Sequence, residues 1–125
     1  MLKLLLVNRD IDSFSALSSA LSGQEDIELD VSPSGEKALA MLSSKAVDLV
    51  IADEDLGDMT ALELSSRLLK INPMINCAVV SSLPPEEFHE ASEGLGIMTQ
   101  LPKQPGVKDA EDLIKTLKQI KGMLA

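Results

Sequence analysis

Five short apolar runs alternate with longer segments of helical period, and this alternation constrains the chain more than any other feature. The runs are "LKLLLV" (2–7), "IELDV" (27–31), "VDLVIA" (47–52), "NCAVV" (76–80) and "IMTQL" (97–101). Between them apolar residues recur three or four apart. Ile11, Phe14, Leu17 and Leu21 form the first stripe, and Ala38, Met41, Leu42 and Ala46 the second. Ala61, Leu64, Leu68 and Ile71 form the third, and Phe88, Ala91 and Leu95 a weaker fourth. Ala110, Leu113, Leu117, Ile120 and Leu124 complete the set. Runs of four to six apolar residues suit strands buried on both faces, and the spacing between them suits helices that cover those faces.

Five such repeats in 125 residues are too few for an eight-stranded barrel. The expected fold is therefore α/β, a flavodoxin-like three-layer sandwich of five βα units spanning 1–125 as one domain. The first and third strands are the most uniformly apolar and belong at the centre, while the alternating second belongs near an edge. That gives a five-stranded parallel sheet in the order 2-1-3-4-5, with the switch point between strands one and three. Punctuation agrees: Gly23 stands where a left-handed cap would end the first helix, and Ser34 opens the second. Pro73 follows the third, and Pro85 suits the first turn of the fourth.

Charge and composition exclude several classes of function. The net charge of −9 opposes direct binding to nucleic acid or anionic membrane, both of which select cationic surfaces. A single cysteine, Cys77, allows no internal disulfide and no cysteine metal cluster, and it reads as a buried small apolar group. No apolar run nears the ~20 residues that span a bilayer. A soluble, cytoplasmic protein is the expectation. The only histidine, His89, falls on the fourth helix without a partner nucleophile, which opposes a hydrolase. A cofactor binder of the same fold would need a phosphate-cradling loop after the first strand, and "NRDIDSF" offers only Ser13.

In a sheet of this type ligands meet the carboxyl ends of the strands. Asn8, Arg9 and Asp10 follow the first strand, "ADEDLGDMT" (52–60) ends the third, Ser81 and Ser82 end the fourth, and "LPKQP" (101–105) ends the fifth. A carboxylate, hydroxyls and an ammonium converging on one edge can accept and stabilise a phosphoryl group.

These segments resemble the receiver domain of bacterial two-component response regulators over nearly the whole chain. "DLVIADEDLGDM" looks like the family's third-strand signature, "VVSS" like its fourth-strand end, and "LPKQP" like its Lys-Pro segment. The resemblance implies a phosphoacceptor at Asp53, an assisting hydroxyl at Ser81 and an assisting lysine at Lys103. Asp55 falls where the family coordinates its metal through a main-chain carbonyl. It also implies a protein partner, a histidine kinase or a downstream effector, met through the fourth helix, fifth strand and fifth helix. Gln100, Lys108, Lys115 and Lys118 are the candidate residues of that face, which could also serve a homodimer.

The sequence departs from the family pattern in ways that bear on chemistry. Asn8 and Arg9 stand where the family carries two carboxylates that bind Mg²⁺, and Asp10 lies one place too late, where it can cap the first helix. Gly57 replaces the usual proline, Thr60-Ala61 the usual Asp-Gly, Gln104 the proline after the lysine, and Gln100 the aromatic switch residue. Arginine stays protonated, so Arg9 is expected to pair with Asp53 or Asp55. Lys103 is a second candidate partner for Asp53. No cofactor is expected, and Mg²⁺ would have to rely on Asp10, Asp53 and Asp55 alone. The favoured expectation is a signalling or docking module with little metal-dependent phosphorylation. The alternative is a working phosphoacceptor at Asp53.

Overall fold

The computed structural model describes residues 2–122. Leu124, the last member of the fifth stripe, lies outside the described residues, as does the Ile11 side chain. The strands are β1 (Leu2–Val7), β2 (Ile27–Ser32), β3 (Leu49–Ala52), β4 (Asn76–Val80) and β5 (Ile97–Leu101). The helices are α1 (Ser15–Ser22), α2 (Gly35–Leu42), α3 (Ala61–Ile71), α4 (Pro85–Ser92) and α5 (Val107–Ile120), and a 3₁₀ turn, Ile11–Phe14, precedes α1. All pairings are parallel and the order is β2-β1-β3-β4-β5, as expected.

Side-chain alternation along β1 divides the interior into two layers. Leu2, Leu4 and Leu6 pack with Phe14, Leu17, Leu21, Leu113 and Leu117 on the α1–α5 side. Leu5 and Val7 pack with Ala38, Leu42, Leu64, Leu68 and Phe88 on the α2–α3–α4 side. Both faces of the central strands are covered, so β3 is buried at all four positions. Cys77 lies within the second layer, where burial pushes its thiol up to about 11, partly offset by a hydrogen bond with Ser65. It is a packing residue, as the sequence implies.

Several local expectations need correction. Gly23 has φ −76° and stays right-handed, because its N–H already reaches Ser19 O at 3.2 Å and no reversal is required. β3 starts at Leu49 rather than Val47; Asp48, just before it, bonds through its backbone to Lys3 O at 2.7 Å and Asn76 N at 3.2 Å, while its carboxylate accepts from Lys3 N at 2.8 Å and pairs with Lys121. α2 stops at Leu42, leaving Ala46 outside it and exposed, and α4 stops before Leu95 with Ala91 exposed. Ile71 and Ile120, at the last positions of their helices, have turned past the core-facing arc and are about half exposed. Ser34 does cap α2, accepting from Lys37 N at 3.2 Å, and Pro85 does occupy the first turn of α4.

Candidate functional site

The parallel ladder runs one step beyond the strands and levels their carboxyl ends. Asn8 N donates to Ser32 O, Asp53 N to Val7 O and Ser81 N to Leu101 O, at 3.0, 3.0 and 3.2 Å. Asn8, Asp53 and Ser81 therefore stand along one edge, which is where the strand-end reading put them.

After β1 the chain folds back on itself. Asn8 is buried; its Oδ1 accepts from Asp10 N at 2.9 Å and its Nδ2 donates to Ser13 Oγ at 2.6 Å. Asp10 accepts from Asp12 N at 3.3 Å and so caps the 3₁₀ turn, the role its position suggested. Arg9 points away from these caps, and its Nη2 lies 3.4 Å from Asp55 Oδ2. Of the two partners expected for Arg9, the structure selects Asp55 and not Asp53.

The turn after β3 explains that choice. Successive side chains on extended backbone point to opposite sides, so Glu54 and Asp55 diverge from the strand end. Asp55 leans toward β1 and also accepts from Gly57 N at 2.9 Å. Gly57 has φ +86°, a left-handed conformation that proline cannot adopt. The turn closes through Leu56 N and Met59 O at 2.9 Å. It presents Asp58 to the start of α2, where that carboxylate accepts from Gly35 N and Glu36 N at 3.0 and 2.9 Å. Those backbone donors hold the Asp58 carboxyl below the usual range, the Glu36 N–H foremost. Gly35 lets the Met59 side chain pack closely, since a Cβ there would fall 2.4 Å from the Met59 sulfur and force that side chain to shift.

Glu54 leans the other way and is the residue the sequence reading passed over. Its Oε2 accepts from Ser82 N at 2.8 Å, both carboxylate oxygens accept from Ser82 Oγ at 3.0–3.1 Å, and Lys103 Nζ lies 3.8 Å from Oε1. The Ser82 N–H, with its hydroxyl and Lys103 adding to it, holds the Glu54 carboxyl below the ordinary glutamate range despite partial burial. Lys103 thus pairs with Glu54 rather than with Asp53. Asp53 itself is half-buried, with Oδ1 accepting from Glu54 N at 2.8 Å. The Ser81 hydroxyl accepts from Leu83 N at 3.2 Å, and the Ser82 hydroxyl donates to the Glu54 carboxylate at the end of β3. The acidic run "DED" was a visible signal. That Glu54 would meet Ser82, 28 positions away, was not.

The candidate partner face is also rearranged. Gln100 turns inward, its Nε2 donating to Ser81 O at 3.2 Å and Leu83 O at 2.8 Å, so it ties β5 to the β4–α4 turn. Lys118 pairs with Asp26 at 2.7 Å, on the side of α5 toward α1, and is not free for the expected face. Lys108 and Lys115 are exposed.

The resemblance implies Mg²⁺, an ion that takes near-octahedral oxygen ligands including carboxylates. Among the described residues no three acidic, histidine or cysteine side chains come together around one point. Asp10 is a cap, Asp55 faces a guanidinium, and Asn8 is an engaged amide. This donor set does not fit the ion.

The Response regulator receiver domain model matches residues 4–118. The chain belongs to that family. Among solved structures, this receiver is similar to a CheY-like response regulator receiver protein from Methanospirillum hungatei (20% identity, TM-score 0.84, 99% of each chain covered). It is also similar to the signal receiver domain of an HD domain-containing protein from Pseudomonas fluorescens (22%, 0.82, 98% of this chain and 90% of that one). A third is the chemotaxis response regulator CheY4 of Vibrio cholerae (19%, 0.80, 94% and 98%). At these identities the likeness shows the fold. None of the curated proteins matches. No described helix is long and apolar enough to cross a membrane.

Proposed function

We propose that this receiver acts in the cytoplasm as a protein-interaction module of a two-component pathway, with little or no metal-dependent phosphorylation and no enzymatic activity of its own. The Arg9–Asp55 pair, beside an Asn8 amide committed to capping bonds, is the observation that carries this reading. A fixed cation within 3.4 Å of Asp55 repels a divalent ion from the position where the family would bind it. The partner is a histidine kinase or a downstream effector, contacted through α4, β5 and α5. Glu86, Glu87, Glu90 and Glu93 are exposed in and just after α4, so a partner with a cationic surface suits this face. The homodimer envisaged from sequence would set two such acidic helices against each other.

A specific observation keeps the competing reading, phosphorylation of Asp53 by a histidine kinase, in view. Asp53 is partly exposed at the edge, and Arg9 pairs elsewhere. Intact-mass measurement after incubation with acetyl phosphate and Mg²⁺ decides between them. The module reading expects no adduct in the wild type and an adduct in an Asn8→Asp/Arg9→Asp double variant. A phosphoryl adduct on the wild type that disappears in Asp53→Asn overturns it.

A further inference from the structure

Donors at the ends of β4 and β5 surround a single small region of space. The Ser82 N–H, the Ser82 hydroxyl and the Lys103 ammonium all face it. A backbone N–H, a hydroxyl and an ammonium aimed at one point make an anion position. What fills it is a carboxylate of the same chain, Glu54, whose own N–H is bonded to the neighbouring Asp53 carboxylate. From this juxtaposition we infer that Glu54 is a tethered anion: it occupies the position that a phosphoryl group on Asp53 would need, and it keeps the β4–α4 turn closed on β3 without phosphorylation. The inference rests on the reading that this edge is the signalling site, and it adds how that site is held.

The geometry makes the exchange competitive. A phosphoryl group on Asp53 would bring roughly two negative charges beside Glu54 and seek the same donors. Against free phosphate Glu54 has the advantage of attachment, because its effective concentration at the donors is set by the chain rather than by the solution, whereas a phosphoryl group on Asp53 would be tethered equally and would compete through its greater charge. Closure of the turn is reinforced from the other side by Gln100, which donates to Ser81 O and Leu83 O on either side of Ser82. Other charged groups lie near: Asp53 and Asp55 on the same turn, Arg9 beyond Asp55, and Lys103 from the β5 end.

Amide hydrogen exchange and titration with inorganic phosphate, both on the ¹⁵N-labelled full chain, test the assignment at fixed pH. In the wild type the Ser82 N–H is protected and its resonance does not move with added phosphate. In Glu54→Ala, exchange at Ser82 accelerates about tenfold or more, the factor expected for losing a hydrogen bond to a charged acceptor. The same variant gains a saturable phosphate-induced shift at Ser82, removed by the further change Lys103→Ala. Glu54→Gln keeps an acceptor but no charge, so it preserves much of the protection while still admitting phosphate. The tethered-anion assignment is overturned if wild type and Glu54→Ala respond to phosphate alike, or if Ser82 exchange is the same in both. An unprotected Ser82 in a wild type that takes no phosphoryl adduct sinks this inference and leaves the module reading standing. A protected Ser82 in a wild type that does take one has the opposite meaning.

Discussion

Two adjacent carboxylates, Glu54 and Asp55, close the two halves of the same sheet edge in different ways. On the β1 side, Asp55 meets Arg9 as a single contact at 3.4 Å between side chains 58% and 64% exposed. On the β4–β5 side, Glu54 is 34% exposed, accepts from both the backbone and the hydroxyl of Ser82, and lies beside Lys103. A solvated ion pair contributes little to stability, whereas a carboxylate accepting from a backbone N–H and a hydroxyl together contributes more, because hydrogen bonds to a charged acceptor are the stronger ones. The first side is thus a solvated charge pair, whereas the second is a hydrogen-bonded link between β3 and the end of β4.

The turn that separates the two carboxylates offers the strongest way to break this contrast. Restoring the family's proline, Gly57→Pro, conflicts with φ +86° and removes the N–H bonded to Asp55, so a loss of about 3 kcal/mol is expected by urea unfolding. Gln100→Ala, which leaves two carbonyls without their donor, should cost about 2 kcal/mol and loosen the β4–α4 turn alone. Glu54→Ala should cost about 1 kcal/mol, discounted for its partial exposure. Its effect is pH-dependent. Because the folded-state carboxyl sits below its unfolded value, the contribution is full above the ordinary glutamate pKa and is lost as pH falls through the folded value. The wild-type and Glu54→Ala stabilities should therefore converge in acid and diverge toward neutrality. Arg9→Ala should change stability by about 0.5 kcal/mol or less, with an effect that shrinks in salt. A larger Arg9 effect than Glu54 effect would reverse the comparison.

The strands and their order were legible because both depend on where apolar residues fall. β1, β4 and β5 lie where the runs placed them, and central strands buried on two faces must be apolar throughout. Helix ends were less legible: Ala46, Ala91 and Leu95 continue a stripe on paper after the hydrogen-bonded helix has stopped. At the site, the positions of Asn8, Asp53, Ser81 and Lys103 followed from strand ends, and Arg9 was correctly expected to find a carboxylate. Which carboxylate depended on a turn whose geometry rests on Gly57 and the Leu56–Met59 hydrogen bond.

Family membership, sheet order and the unusual cation after β1 were determined by the sequence alone, since each is a matter of residue type at a fixed interval. The tertiary structure decided the pairing. Lys103 took Glu54, the Ser82 hydroxyl met the same carboxylate, Lys118 turned to Asp26, and Gln100 turned inward. The physical reason is distance along the chain: hydrophobic period is a local property, but a charged side chain selects among partners that only the assembled sheet brings within a few ångströms.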